Sequence, residues 1–287
     1  MAYRTILVHL NDERRMMRLL GPTIALAERW NAHVIAASAL PPLYVLPADA
    51  PGFGDPIVID EHRKAYQKEA IRIETGLREA SAGRAVVTQW RLEDAKDSSV
   101  AACIGAIARS SDLIIASQTD ADWIDSHFHD VAERLITENG RPVLVIPNVG
   151  PNTGRVEKIG TRVLLAWNST RESARAAFDA LPLLKLAEQV IVVSVNPDRD
   201  YYTADAGIVP TADICATLAR HGVKCTALGG EEKSSDVGRT LLAIATDRNC
   251  DLLVMGCYGH SRLREFILGG ATRTVLKSMQ IPVLMSH

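Results

Sequence analysis

The order of apolar runs in this chain occurs twice, which points to two copies of one domain. Thr5 to Leu10 (TILVHL) is answered by Arg162 to Trp167 (RVLLAW), and Asn11 by Asn168. His33 to Ser38 corresponds to Val190 to Val195, and Ala85 to Trp90 to Val223 to Leu228. The segment from Ser98 to Ser110 corresponds to Val237 to Thr246, Asp112 to Asp251, and Pro142-Val143-Leu144 to Pro282-Val283-Leu284. Residue 162 answers 5 while residue 282 answers 142, so the offset shrinks from 157 to 140. The first copy carries the extra length, in a stretch from Pro41 to Pro56 with five prolines and two glycines that predicts a long surface loop. Each copy alternates short apolar runs with helical periods, as in a doubly wound parallel sheet. In the first copy, helices are expected over Arg14 to Trp30, Asp60 to Ala82, Ser98 to Ser110 and Val131 to Thr137. The expected division is 1–150 and 158–287, joined by an aperiodic stretch from Asn148 to Lys158 that contains Gly150, Pro151 and Gly154.

The copies differ where a ligand would bind. In the second, the buried run Asp251 to Met255 ends at Gly256, Gly259 follows, and nine residues separate it from the pair Gly269-Gly270, where a helix begins. Glycines at a strand end let backbone N–H groups approach a ligand closely, and a helix N-terminus favours anionic oxygens. For any one of them, a tight turn is the simpler explanation. The first copy has SQTDADWIDSHFHDVAERL at this place, with Ser117 and Asp120 opposite the first two glycines, and no glycine at all. Asp120, Asp122 and Asp125 would repel phosphate, so that copy is expected to have lost its site.

The G-x2-G-x9-G-G spacing resembles the universal stress protein pattern G-x2-G-x9-G-[ST], and nearly the whole chain resembles a tandem member of that family, most strongly from Cys250 to His287. The resemblance implies two universal-stress-protein-like α/β domains, similar to adenine nucleotide alpha hydrolases, paired through their closing strands as an intrachain pseudo-dimer. It also implies an ATP or AMP site, with Mg2+ accompanying ATP. Ala166, Trp167, Val195 and Met255 would line the base, and Asn168 would meet the nucleoside. Gly256, Tyr258, Gly259, Ser261, Arg262, Gly269, Gly270, Ala271 and Thr272 would surround the phosphates. Two residues depart from the pattern. Gly270 stands where binders carry Ser or Thr, with Thr272 two residues on, and Asn168 stands where they carry an acid.

With 32 basic and 34 acidic residues, the formal charge of −2 argues against a nucleic-acid surface. Ile6 to Leu10 is too short for a signal-peptide core, and no run reaches the roughly 18 apolar residues of a membrane helix, so a cytoplasmic protein is expected. Five cysteines without C-x2-C spacing suggest neither a disulfide framework nor zinc, and Cys257, in the glycine turn, is expected to be an accessible thiol. His127 and His129 fall on different helix faces, and Glu231-Glu232-Lys233 reads as solvated charge. Walker, dinucleotide and G-x-S-x-G motifs are absent, so no catalytic residue is assigned and hydrolysis, if present, is expected to be slow. Three readings stay open: a nucleotide-binding regulator; a protein-interaction or small-ligand-binding module whose nucleotide site has decayed and whose working surface is the Pro41 to Pro56 loop or a pocket in the first copy; and, ranked last for want of an acid–base pair, a hydrolase or transferase on a nucleotide-alpha-hydrolase-like fold. A homodimer is compatible with each, and the sequence names no protein partner.

Overall fold

The computed structural model describes residues 2–42, 56–96, 98–120, 131–150, 159–196, 211–228, 234–257 and 270–287. Most of the proline-rich stretch and of the join therefore lies outside the described residues, as do His127, His129 and Glu231 to Lys233. The chain divides into two compact units, residues 3–139 and residues 140–150 with 159–287.

The first unit runs β1 (Thr5–His9), α1 (Glu13–Trp30), β2 (His33–Leu40), α2 (Pro56–Ser81), β3 (Val87–Asp94), α3 (Val100–Ala108), β4 (Leu113–Ser117) and α4 (Val131–Glu138). Its strands are parallel, in the order β3-β2-β1-β4. The second unit contains β5 (Val143–Ile146), β6 (Arg162–Ala166), α5 (Arg171–Asp179), α6 (Leu181–Leu184), β7 (Gln189–Val193), α7 (Ala212–Arg220), β8 (Cys225–Ala227), α8 (Val237–Asp247), β9 (Leu252–Gly256), α9 (Gly270–Ser278) and β10 (Val283–Ser286). Here the order is β5-β10-β9-β6-β7-β8, parallel except for β5, which pairs antiparallel with β10.

The uninterrupted apolar runs become the central strands. Ile6, Leu7 and Val8 in one unit and Val163, Leu164, Leu165, Leu253 and Val254 in the other have no solvent exposure, as strands covered on both faces require. The repeat also holds at the level of hydrogen bonds. Asp112 Oδ2 accepts from the N–H groups of Arg4 and Thr5 at 2.8 and 2.9 Å, and Asp251 accepts from those of Thr161 and Arg162, both at 2.9 Å. Each aspartate precedes one strand and caps the start of its neighbour, joining two segments distant in sequence.

The edges depart from the sequence reading. β3 begins at Val87 and continues to Asp94, beyond the expected Ala85 to Trp90, and β8 shrinks to three residues. Both are edge strands with substantial exposure, so no continuous apolar run marks their limits. The sequence reading assigned none of α5, α6 and α7. The buried face of α5 includes Ser173, Ala176 and Ala177, which are too small to draw an apolar stripe. No helix among the described residues is long and apolar enough to cross a membrane.

Candidate functional site at the carboxyl ends of the second unit's strands

β6 lies between β7, which it reaches through α5 and α6, and β9, which the chain reaches only after β8. Connections leave β6 and β9 in opposite directions, and such a switch point opens a crevice at the carboxyl ends of the strands, where α/β sheets bind ligands. Trp167 N–H donates to Val193 O at 2.8 Å, carrying the β6–β7 ladder one residue past Ala166. Ala166 and Trp167 are half-buried and Asn168 is exposed. Ser169 then takes a left-handed conformation, φ 59°, and the chain enters α5, capped by Thr170. Asn168 Oδ1 accepts from the Thr170 hydroxyl at 2.9 Å, and its amide nitrogen has no partner among the described residues.

At the end of β7, Val195 is buried beside Ser194, whose hydroxyl is buried without a hydrogen-bond partner among the described residues. Asn196 follows with φ 50° and clasps Ser234, donating to its carbonyl at 2.6 Å and accepting from its N–H at 2.9 Å. This clasp ties the end of β7 to the approach to α8.

Met255 is buried, and Gly256 closes β9 directly against the first turn of α5. A Cβ on Gly256 would lie 2.4 Å from Glu172 C, 2.5 Å from Ser173 N and 2.6 Å from Glu172 O, all backbone atoms. Packing alone therefore demands glycine here. Burial of the Glu172 carboxyl pushes its pKa up, but hydrogen bonds from its own backbone N–H, Arg171 and Thr170 outweigh that and hold it below the usual carboxylate range. A negative charge accordingly sits at the N-terminus of α5, where the helix dipole favours it.

Cys257 corrects the expectation of an accessible thiol: it is wholly buried. Its N–H donates to Ser286 O at 3.0 Å, and its carbonyl accepts from His287 Nδ1 at 3.1 Å. Burial pushes the thiol pKa far up, opposed only in part by a hydrogen bond from Thr272. The carbonyl and N–H of the first turn residue thus bind the end of β10, turning the side chain into the core. In α9, Gly270 is exposed with no described residue within 4 Å of its Cβ position, and Ala271 is half-buried, while Thr272 is buried and directed at Cys257. Tyr258, Gly259, Ser261, Arg262 and Gly269 lie outside the described residues. Sequence reasoning missed Gly238 in α8, where a Cβ would lie 2.6 Å from Ala271 O and 2.8 Å from Thr274 Cβ. The signal was an isolated glycine inside a helical stretch, which marks close approach.

The corresponding place in the first unit is filled. Asp12 caps α1 by accepting from Arg14 N–H at 2.8 Å, Arg15 approaches the buried Asp12 carboxylate at 3.7 Å, and Arg15 also pairs with Asp120. The remaining space, lined by His9, Asn11, Gln118 and Thr119 among others, is about 10 Å³, enough for one water at most.

The parallel-stranded units, with the switch point at β6 in the second, define a doubly wound α/β protein. Residues 161–287 match the model of the Universal stress protein family. A curated universal stress protein of Synechocystis sp. is 26% identical over 187 residues, which cover 63% of this chain and 60% of that protein, so the matched region spans about three fifths of its length. Among solved structures, a universal stress protein from Archaeoglobus fulgidus superposes with a TM-score of 0.69 at 16% identity, covering 98% of this chain and 95% of its own. A Pseudomonas aeruginosa protein described as a universal stress protein reaches 0.60 at 19% identity, covering 99% and 93%. Residues 161–287 thus carry the match to the universal stress protein family, and the two units share the fold of these solved structures.

Proposed function

We propose that the second domain, residues 158–287, binds an adenine nucleotide, ATP or AMP, as a regulator of a cytoplasmic stress response, and that the first domain, residues 1–150, does not. The observation that carries this reading is the convergence of Ala166, Trp167, Asn168, Val195, Met255 and Gly256 at one switch point, whose counterpart in the first unit is closed by Arg15 and Asp120. Val195 and Met255 with Ala166 and Trp167 offer an apolar wall for a purine. Asn168 offers its amide nitrogen to the ribose or base, and the orphaned Ser194 hydroxyl supplies a second polar group at the same edge. The N–H groups of Gly256, Gly259, Gly269, Gly270 and Ala271, with Tyr258, Ser261, Arg262 and the α9 N-terminus, suit phosphate oxygens. Thr272 acts from beneath, fixing Cys257 and so the start of the turn. Mg2+ would arrive with the phosphates of ATP, since no group of three His, Cys, Asp or Glu among the described residues could hold a metal ion.

The Gly259→Val variant tests this reading. Titration with ATP should show affinity lowered at least tenfold with the thermal transition unchanged, and wild-type affinity in the variant would refute it. One observation favours the rival interaction module: Asn168 Oδ1 is already engaged by Thr170, and Thr272 by Cys257, so two side chains proposed near the ligand are partly spent on structure.

A further inference from the structure

We infer that Cys215 and Cys225 form a reversible oxidation site, closing to an intramolecular disulfide when the protein meets hydrogen peroxide. Cys215 lies in the first turns of α7 and Cys225 opens β8, ten residues further along the chain. The Cys225 thiol donates to the Cys215 carbonyl at 3.2 Å, so the edge strand's sulfur already rests against the helix residue it would join. Both thiols are half-buried, whereas Cys250 and Cys257 are buried.

Cys225 opens onto solvent from one side. A cleft of about 730 Å³ at the amino-terminal edge of β6, β7 and β8 is lined by Cys225 together with Arg162, Lys224 and Thr226. That edge is opposite to the one carrying the nucleotide proposal, and this site stands independently of it. Arg162 and Lys224 share the cleft with Glu188 and Asp251, so its lining carries charges of both signs. Cys225 lines the cleft and Cys215 does not, so peroxide entering it meets Cys225, which makes the first attack.

The chemistry balances with peroxide as the oxidant. Cys225 Sγ attacks one peroxide oxygen, the O–O bond breaks, and hydroxide leaves and takes up the thiol proton as water, giving a sulfenic acid on Cys225. Cys215 Sγ then attacks that sulfur, the S–O bond breaks, and the departing oxygen leaves as a second water with the Cys215 proton. Two thiols and one peroxide become one disulfide and two waters, and a dithiol reductant reverses the change. The product would tie α7 to an edge strand that only β7 otherwise holds in the sheet.

Peroxide treatment of the full chain, followed by denaturing alkylation and peptide mass mapping, tests the inference. A cross-linked peptide joining Cys215 to Cys225, two hydrogens lighter than the two reduced peptides together and abolished by dithiothreitol, is the expected result. Cys103, Cys250 and Cys257 should remain alkylatable in the same sample. In Cys215→Ser, where the second step is impossible, Cys225 should accumulate as sulfenic acid that a dimedone probe labels. Independent alkylation of both thiols after peroxide, or cross-links only between chains, would overturn it.

Discussion

Gly256 and Gly270 look equivalent in the sequence, each a glycine of the same motif, but they predict opposite responses to a single methyl group. In Gly256→Ala the new Cβ would be driven to 2.4–2.6 Å from the backbone of Glu172 and Ser173. No side-chain rotation relieves that, so either the end of β9 or the first turn of α5 must shift. Overpacking of this kind costs about 1–3 kcal/mol. At roughly 4 °C per kcal/mol for a unit of this size, the midpoint for the second unit should fall by about 4–12 °C. In Gly270→Ala the Cβ meets nothing within 4 Å among the described residues, and the residue opens α9. Alanine lowers the entropy of the unfolded chain there and should raise stability by about 0.4–1 kcal/mol. Circular dichroism melts of both variants beside wild type decide the matter. Equal shifts, or a Gly256→Ala protein as stable as wild type, would refute the steric reading of Gly256.

Other outcomes follow from the same contacts. Asp251→Ala leaves the N–H groups of Thr161 and Arg162 without their carboxylate and should destabilise the second unit by about 2 kcal/mol in urea unfolding; Asp112→Ala should do the same to the first. Stability should also fall as pH rises above about 9. Burial holds the Cys250 thiol at about 11 against an ordinary 9.0, so between these values the unfolded chain loses a proton that the folded one keeps. Cys257 and Cys215, also raised by burial, add to the same slope, so Cys250→Ser should make that part of the pH profile shallower without removing it, as measured by urea midpoints across the window.

The central strands and the repeat were legible because uninterrupted apolar runs have few alternatives: Ile6 to Val8 and Leu252 to Val254 could only be buried on both faces. Edge strands were not, since β8 mixes Cys225, Thr226 and Ala227 with neighbours that face solvent, and helix α5 packs through alanine and serine. Of the site, the residues at the strand ends could be placed from their order alone, because β6, β7 and β9 must align for the sheet to form. What the order does not reveal is where each side chain turns. Cys257, placed in an open glycine turn by its sequence, faces inward because its backbone is bound at both N–H and C=O to the end of β10. Thr272, two residues past Gly270, follows it into the core.

Purifying the protein without added nucleotide, releasing its small molecules by denaturation for chromatography with mass detection, and then titrating the stripped protein with ATP addresses the nucleotide proposal most directly. Co-purified ATP, ADP or AMP, with rebinding at about one site per chain and a dissociation constant of roughly micromolar or tighter, is the predicted result. An empty protein that ignores millimolar ATP would contradict it and turn attention to protein partners.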